Sequence, residues 1–318
     1  MHEIKQNYII EKCKSDKHWK TKARKHQSDF REQEMQVPAV LNTKDKCYGN
    51  VISEKDAVKG INFYVSFRDE IICKLKGSKI GTVLKNLLRS EHIPYNIFFP
   101  MRNDLKKSAL LFRILTGRAV EIVTDIKIEY APSPKEEYLN DSTSFDVYVE
   151  YIDSNEKKCG IGIEVKYTEQ KSYIEKDSEE LKKIKNADST YYRVTRDSGC
   201  FDYGELSEKD FIQDNFGNYG RGNDLRQIWR NHILGLSMMQ HCDGIKDFLS
   251  VHLYPSFNEH FNPKTSNVLK NYTSLLNNKG RDSFMPLTYE ALFDAMKKCG
   301  MDEIDEGWIP YLTRRYIL

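Results

Sequence analysis

Two stretches of alternating sequence carry charged side chains whose spacing could form one chemical site. The stretch 159–167 contains Glu164 and Lys166, two residues apart, and the earlier stretch 144–151 contains Asp146. Side chains two residues apart in a strand project from the same face, so antiparallel pairing of the two stretches places Asp146 beside the other two. Paired carboxylates suit Mg²⁺ or Mn²⁺, and an adjacent ammonium can orient a water or stabilise charge on a phosphoryl group. This combination predicts phosphodiester hydrolysis.

An acid and a base separated by one residue do not by themselves identify a site. With 47 acidic and 49 basic residues among 318, such triplets are expected about seven times by chance. The surroundings add weight, because the triplet lies in an apolar strand and follows both a helix and a strand with an acid in phase. From the residues alone, a catalytic site and a solvated strand face both stay open. Glycoside hydrolysis fits less well, because it needs one protonated carboxyl group.

The elements that must position these residues alternate between helix and strand. Apolar residues at helical spacing predict a helix over 77–90, and a helix is expected to carry Glu91 near its C-terminal end. Alternation puts apolar side chains on one face of the strands and the acids on the other, where Gly160 and Gly162 leave room for a ligand. The order predicts an α/β layer fold with a mixed sheet. The remaining expected elements are strands over 121–130 and 248–254, helices around Leu181 and Ile184 and over 225–240, 269–276 and 289–296, and an irregular region over 197–223.

Composition excludes several classes of protein. With 39% hydrophobic and 30% charged residues, the chain can bury a core and is not of the disordered class. No window approaches the ~20 apolar residues of a membrane span, and the N-terminus lacks an apolar signal sequence. We therefore expect a soluble, cytoplasmic protein with no membrane partner. The seven cysteines are widely spaced, which argues against a disulfide framework and against structural zinc.

The N-terminal stretch over 5–31 is rich in basic residues, with Trp19 and Phe30 among them. Such a stretch could be an arm that binds nucleic acid. A solvated helix face with mixed charges is the more ordinary interpretation, and the net charge of the whole chain is only +2. The arm is therefore a hypothesis at this point.

The residues around the triplet resemble the PD-(D/E)XK nuclease superfamily. Ser144-Phe145-Asp146 and the run from Gly162 to Glu169, which reads Gly-Ile-Glu-Val-Lys-Tyr-Thr-Glu, look like the superfamily motif, and the Lys-Tyr-Thr-Glu continuation looks like a branch assigned to restriction endonucleases. The similarity covers roughly 80–318. One departure is the missing proline before the first acid, where Phe145 stands. Further similar segments are 90–92, 96–101, 227–232, Tyr254-Pro255, Trp308 and Arg315-Tyr316.

The resemblance implies a restriction-endonuclease-like core, in which a mixed central sheet is flanked by helices, with helical terminal extensions. Asp146, Glu164 and Glu91 would bind the metal together with the carbonyl of Val165, and Lys166 would complete the catalytic set. The implied cofactor is Mg²⁺, with Mn²⁺ as a substitute, and the implied partner is double-stranded DNA. We expect an N-terminal extension over 1–78, a nuclease core over 79–260 and a C-terminal helical segment over 261–318 packed on the core.

Three functions compete at this stage. The first is a metal-dependent endonuclease of the restriction or defence type, acting as a homodimer because two strand cuts require two active sites. The second is a non-catalytic nucleic-acid-binding protein on the same scaffold. The third, a hydrolase acting on another substrate, gives Lys166 no natural part. Modified DNA and RNA stay open as substrates, because base readout depends on loop residues.

Overall fold

A five-stranded mixed sheet forms the centre of the computed structural model, which describes residues 9–10, 15–41, 47–75, 84–218, 223–242 and 244–318. The strand order is β4-β5-β6-β7-β8, and three two-residue strands form a separate small sheet in the order β1-β3-β2. The described strands are β1 (Ile9–Ile10), β2 (Val40–Leu41), β3 (Cys47–Tyr48), β4 (Val120–Tyr130), β5 (Phe145–Asp153), β6 (Lys158–Val165), β7 (Phe248–Tyr254) and β8 (Phe284–Thr288).

Thirteen α-helices surround the sheet in the described part of the chain. The helix Leu105–Thr116 shows how the sequence sets their ends: Asp104 caps its start by accepting the Lys107 N–H at 2.9 Å, and Gly117 ends it at a φ of 67°. The helices are α1 (His18–Phe30), α2 (Glu54–Val58), α3 (Arg68–Leu75), α4 (Ile93–Ile97), α5 (Leu105–Thr116), α6 (Glu179–Lys185), α7 (Thr190–Ser198), α8 (Glu208–Phe216), α9 (Arg226–Gln240), α10 (Val268–Ser274), α11 (Asn278–Asp282), α12 (Tyr289–Lys298) and α13 (Trp308–Tyr316).

The pairing of the central strands changes direction at β6. β4 pairs antiparallel with β5, and β5 pairs antiparallel with β6, whereas β7 runs parallel to both β6 and β8. Asp153 closes the turn between β5 and β6, because its carboxylate accepts the N–H groups of Asn155 and Lys157 at 2.8 Å. The connection from β6 to β7 contains α6 to α9, as a parallel crossover requires. The predicted α/β fold with a mixed sheet flanked by helices is therefore confirmed.

Both faces of the central sheet are covered by apolar side chains, and Asp146, Glu164 and Lys166 lie at the end of the face that α9 covers. On one face, α5, α12 and α13 pack against Val147 and Val149 of β5 and against Cys159, Ile161, Ile163 and Val165 of β6. Phe145 and Tyr148 pack with α7 and α9 on the other. The room beside the β6 glycines is filled, since a Cβ at Gly160 would lie 2.4 Å from the Tyr148 hydroxyl. The expectation that these glycines leave room for a ligand is therefore wrong.

Several elements differ from the sequence prediction. Residues 84–90 form turns rather than the end of a helix, and the rest of that predicted helix, 77–83, lies outside the described residues. Glu91 stands in the turn before α4 and not near the C-terminal end of a helix. The region 197–223, expected to be irregular, contains α8, and β8 was not anticipated. The helix over 225–240 and the strand over 248–254 are confirmed as α9 and β7.

α1 packs against the core through buried contacts with the C-terminal part of the chain. Trp19 and Ala23 are buried, and the Gln27 amide donates to the Tyr167 hydroxyl at 2.8 Å and to the Arg315 carbonyl at 2.6 Å. The described part of the N-terminal stretch is thus joined to the segment that follows β6 and to α13. Among the described helices, none is both long and apolar enough to cross a bilayer.

Candidate active site

The β5–β6 hairpin brings the two predicted acids together at one end of the sheet. The antiparallel register pairs Val147 with Ile163, and one step further it sets Asp146 opposite Glu164. The Val165 N–H donates to the Asp146 carboxylate at 2.7 Å, which fixes the side chain at the start of β5 against the end of β6. The alternation in the two strands and the short turn between them therefore suffice to place both carboxylates at one site.

Lys166 and Glu164 form a buried ion pair at this site. Their side chains are each only 7% exposed, and the Lys166 ammonium lies 2.5 Å from Glu164 Oε1. The backbone holds the lysine in place from both sides, because its N–H donates to the Leu253 carbonyl of β7 and its carbonyl accepts the Tyr289 hydroxyl, each at 2.8 Å. Lys166 therefore continues the β6–β7 ladder, with its side chain directed at the acids.

Two amides of α9, which lie in the 227–232 segment of the resemblance but carried no predicted role, complete the surroundings of Glu164. Gln227 Nε2 donates to Glu164 Oε1 at 2.6 Å, its Oε1 accepts from the Lys166 ammonium at 2.9 Å, and the Asn231 amide donates to Glu164 Oε2. Residues four apart share one face of a helix. The signal that could have found them is a pair of polar residues at this spacing on the side of an apolar helix that faces the sheet.

The charges in this cluster do not balance, and the pKa values reflect this. Burial, reinforced by the nearby Glu164 carboxylate, raises the pKa of Asp146 well above its ordinary value, although Lys166 and the Val165 N–H act in the opposite direction. Burial alone would lower the pKa of Lys166, but Glu164 and Asp146 outweigh it and raise that pKa. Lys166 is thus held as a cation, and two carboxylates share a single ammonium.

The segment after β6, residues 167–169, holds the loop 88–90 beside the site through hydrogen bonds. The Thr168 hydroxyl donates to the Leu88 carbonyl at 2.9 Å. The Glu169 carboxylate accepts the N–H of Ser90 at 2.9 Å, and it also accepts the N–H groups of Tyr167 and Thr168 at 2.9 and 3.0 Å. These contacts hold residues 88–90 against the end of β6. Glu169, whose role the sequence left open, therefore positions the segment that leads to Glu91.

Asp146, Glu164, Lys166 and Glu91 all line one cavity of about 490 Å³. Glu91 does not join the other acids directly, because its Oε1 accepts from the Arg89 guanidinium, at 2.7 Å from Nε. Its Oε2 is buried and has no hydrogen-bond partner among the described residues. Polar and charged side chains dominate the lining, and the other residues are Lys20, Arg24, Asn86, Leu88, Arg89, Ser90, Thr168, Glu169, Gln170, Lys171 and Gln227.

The donor set at the base of the cavity fits a divalent cation of the Mg²⁺ type. Mg²⁺ is usually bound by one or two carboxylates and keeps several waters. Asp146 and Glu164 supply two carboxylates and Lys166 one ammonium, so a cation would offset both the burial and the neighbouring Glu164 charge that raise the pKa of Asp146. In the described parts of the chain, no three His, Cys, Asp or Glu side chains converge as a metal site. Glu91 therefore stays a predicted ligand, as does the Val165 carbonyl.

The chain belongs to the PD-(D/E)XK nuclease superfamily, whose family model matches residues 14–318. The match extends well beyond the 80–318 on which the sequence resemblance rested, and it includes α1. Members of this superfamily are nucleases that act on nucleic-acid phosphodiesters and typically use divalent metal ions. No curated protein and no solved structure matched the chain.

Proposed function

We propose that the protein is a divalent-metal-dependent endonuclease that hydrolyses DNA phosphodiester bonds in a restriction or defence role. The observation that carries the proposal is the cluster of Asp146, Glu164 and Lys166 at the base of a polar cavity. A buried ion pair contributes little net stability compared with an apolar replacement, so stability alone does not explain a lysine buried beside two acids. Membership of the nuclease superfamily supports the same activity.

In this proposal, Asp146 and Glu164 hold Mg²⁺, or Mn²⁺ in its place, with the Val165 carbonyl as a further ligand and Glu91 contributing directly or through water. When bound, the ion supplies Lewis-acid stabilisation of phosphate charge and increases the acidity of a nearby water. Lys166 donates hydrogen bonds as a cation, which orients the attacking water or stabilises the negative charge that develops on the phosphoryl group. Gln227 keeps the lysine and Glu164 in register.

The substrate in this proposal is double-stranded DNA, and the active form is a homodimer because each site cuts one strand. We further propose a division into an N-terminal extension over 1–78, a core over 79–260 and a C-terminal helical segment over 261–318. The hydrogen bonds of Gln27 to Tyr167 and to Arg315 support close packing of all three.

The test is cleavage of mixed plasmid and phage DNA by the wild type and by Lys166→Ala, each with Mg²⁺, Mn²⁺ or EDTA. Lys182→Ala is the control, because Lys182 lies on the surface of α6 and its side chain is 62% exposed. We expect discrete fragments from the wild type and the control that disappear with EDTA and with Lys166→Ala. A smear of fragments would contradict the sequence-specific restriction role and would indicate nonspecific cutting.

Cleavage that persists in EDTA, or in Lys166→Ala, would refute the proposed mechanism. Binding of DNA by the wild type, without cleavage of any substrate under any metal condition, would favour the non-catalytic alternative. Metal titration calorimetry on the wild type and Asp146→Asn then decides whether a cation site exists. A site that binds Mg²⁺ only when Asp146 is present supports the assignment of that ligand.

A further inference from the structure

α1 forms one wall of the active-site cavity, although it lies far from the motif in sequence. Lys20 and Arg24, four residues apart and therefore on one face of the helix, both line the cavity. Trp19, Ala23 and Gln27 are buried and hold the helix to the core. The described part of the basic N-terminal stretch is thus a packed helix that presents selected cations to the site.

One cation in the cavity differs from the others in having no acidic partner in the part of the chain that the structure describes. Of the residues that are described, five with basic side chains line the cavity, and four of these pair with a carboxylate. Within the described residues, the Lys20 ammonium makes neither an ion pair nor a hydrogen bond, and its side chain is half-buried. The four pairs are Arg24 with Asp16 at 2.8 Å, Arg89 with Glu91, Lys166 with Glu164 at 2.5 Å and Lys171 with Asp224 at 3.5 Å.

A partly desolvated ammonium without a partner gains most from an anion that enters the same cavity. In a nuclease, that anion is a phosphate of the bound strand, because phosphates are the charged groups of the substrate. A lysine ammonium acts as a point charge with three donors, which suits a phosphate oxygen and not the bidentate reading of a base. The contact is therefore independent of sequence and fixes the position of the strand.

We propose that Lys20 binds a backbone phosphate of the nucleic acid in the active-site cavity. The inference rests on the proposed nuclease function, and it assigns to α1 a part of the substrate site. The acids at the base of the cavity take the metal, whereas Lys20 on the wall takes the substrate. Arg24 does not have this role, because its guanidinium is already bound by Asp16 and by Asn50 at 2.7 Å.

The test compares Lys20→Gln with Lys22→Gln in a cleavage-deficient Lys166→Ala background. Lys22 lies on the same helix but is exposed and does not line the cavity, so it controls for the loss of one positive charge near the N-terminus. Binding of a duplex oligonucleotide is measured by fluorescence anisotropy over a salt series. Each phosphate contact contributes about 0.9 to the slope of log K against log salt.

We expect Lys20→Gln to reduce the magnitude of that slope by about 0.9, which corresponds to about eightfold weaker binding at 0.1 M salt and almost no difference near 1 M. Lys22→Gln should keep the parental slope, and Lys20→Arg should recover it. In the cleavage-competent protein, Lys20→Gln should raise KM and leave kcat close to the wild-type value. Unchanged urea unfolding of Lys20→Gln would confirm that the effect comes from substrate contact.

Equal slopes for the parent, Lys20→Gln and Lys22→Gln would overturn the inference, while cleavage by the wild type would leave the proposed function intact. A lower slope in both variants would also overturn it, because the effect would then be one of general charge. If the Lys166→Ala parent binds no nucleic acid and the wild type cleaves none, both the inference and the proposed function are wrong.

Discussion

Replacing Lys166 by Met removes the positive charge of the buried Lys166–Glu164 ion pair and keeps the neighbouring side chains. Met has a similar length but no charge, and it leaves Glu164 with the amide donors of Gln227 and Asn231. Both side chains of the pair are 7% exposed, so water cannot take over from the lysine. Removal of one partner of a buried pair costs about 3–5 kcal/mol. Because two donors to Glu164 are left, we expect a loss of about 3 kcal/mol in the free energy of unfolding at pH 8.

The loss should depend on pH in a defined direction. Burial and the Glu164 carboxylate already raise the pKa of Asp146, and without the opposing ammonium of Lys166 that pKa should rise further, so the folded protein holds a proton on Asp146 more tightly than the unfolded chain does. The free energy of unfolding then decreases as pH rises above the ordinary carboxylate pKa, because the folded state binds more protons. The penalty of Lys166→Met should therefore be larger at pH 8 than at pH 5.

Urea unfolding followed by circular dichroism in EDTA, at both pH values, measures this penalty. Lys182→Met is a matched control, since the Lys182–Glu179 pair has the same 2.5 Å separation but is 62% and 81% exposed, and its loss should not change the unfolding midpoint. The double variant E164Q/K166M, which removes both charges, should recover most of the stability. If Lys166→Met unfolds at the wild-type urea concentration at pH 8, the argument from buried charge is wrong.

Four further outcomes are expected. Asp146→Asn should stabilise the metal-free protein against urea at pH 7 while abolishing cleavage, because burial raises the pKa of this carboxyl group and its ionisation opposes folding. Burial lowers the pKa of His232 to about 3, so below pH 6.5 only the unfolded chain takes up the proton. The contribution of His232 to the free energy of unfolding should therefore fall by about 1.4 kcal/mol per pH unit. Urea midpoints of the wild type and of His232→Gln between pH 7 and 5 measure this decrease. Glu169→Ala, which frees the Ser90 N–H, should reduce the initial cleavage rate about tenfold, with partial recovery in Glu169→Gln. Gly235→Ala should yield no soluble folded protein on expression, because its Cβ would stand 1.9 Å from a ring carbon of Phe248.

The hairpin that carries the acids could be predicted because its signals are local. Two alternating strands and a short polar turn fix both the pairing and the phase of Asp146 relative to Glu164. The amphipathic pattern of α9 likewise gave its bounds to within one residue at its start. A periodic pattern does not show which side chains pack on each face of a strand. For this reason the packing of Tyr148 over Gly160 was not predicted.

The loop before α4 and the role of α1 depend on contacts between residues far apart in the chain. Thr168 and Glu169 hold residues 88–90 through backbone groups, and backbone groups carry no sequence signal. Lys20 and Lys22 look alike in sequence, but only Lys20 lines the cavity, because the buried side of α1 is set by Trp19 and Gln27. A count of basic residues therefore overstates how many of them can reach a substrate.

The position of Gln227 and Asn231, by contrast, follows from topology once the strands are known. β7 runs parallel to β6, so the connecting helix α9 must return antiparallel to both strands before β7 begins. Its first turns then lie over the carboxyl end of β6, where Glu164 and Lys166 stand. The partial positive charge at a helix N-terminus favours a carboxylate there, and amides one turn apart can bind both of its oxygens. Polar residues at this spacing, early in the helix before the next parallel strand, are thus the feature by which such positioning residues can be found in a sequence.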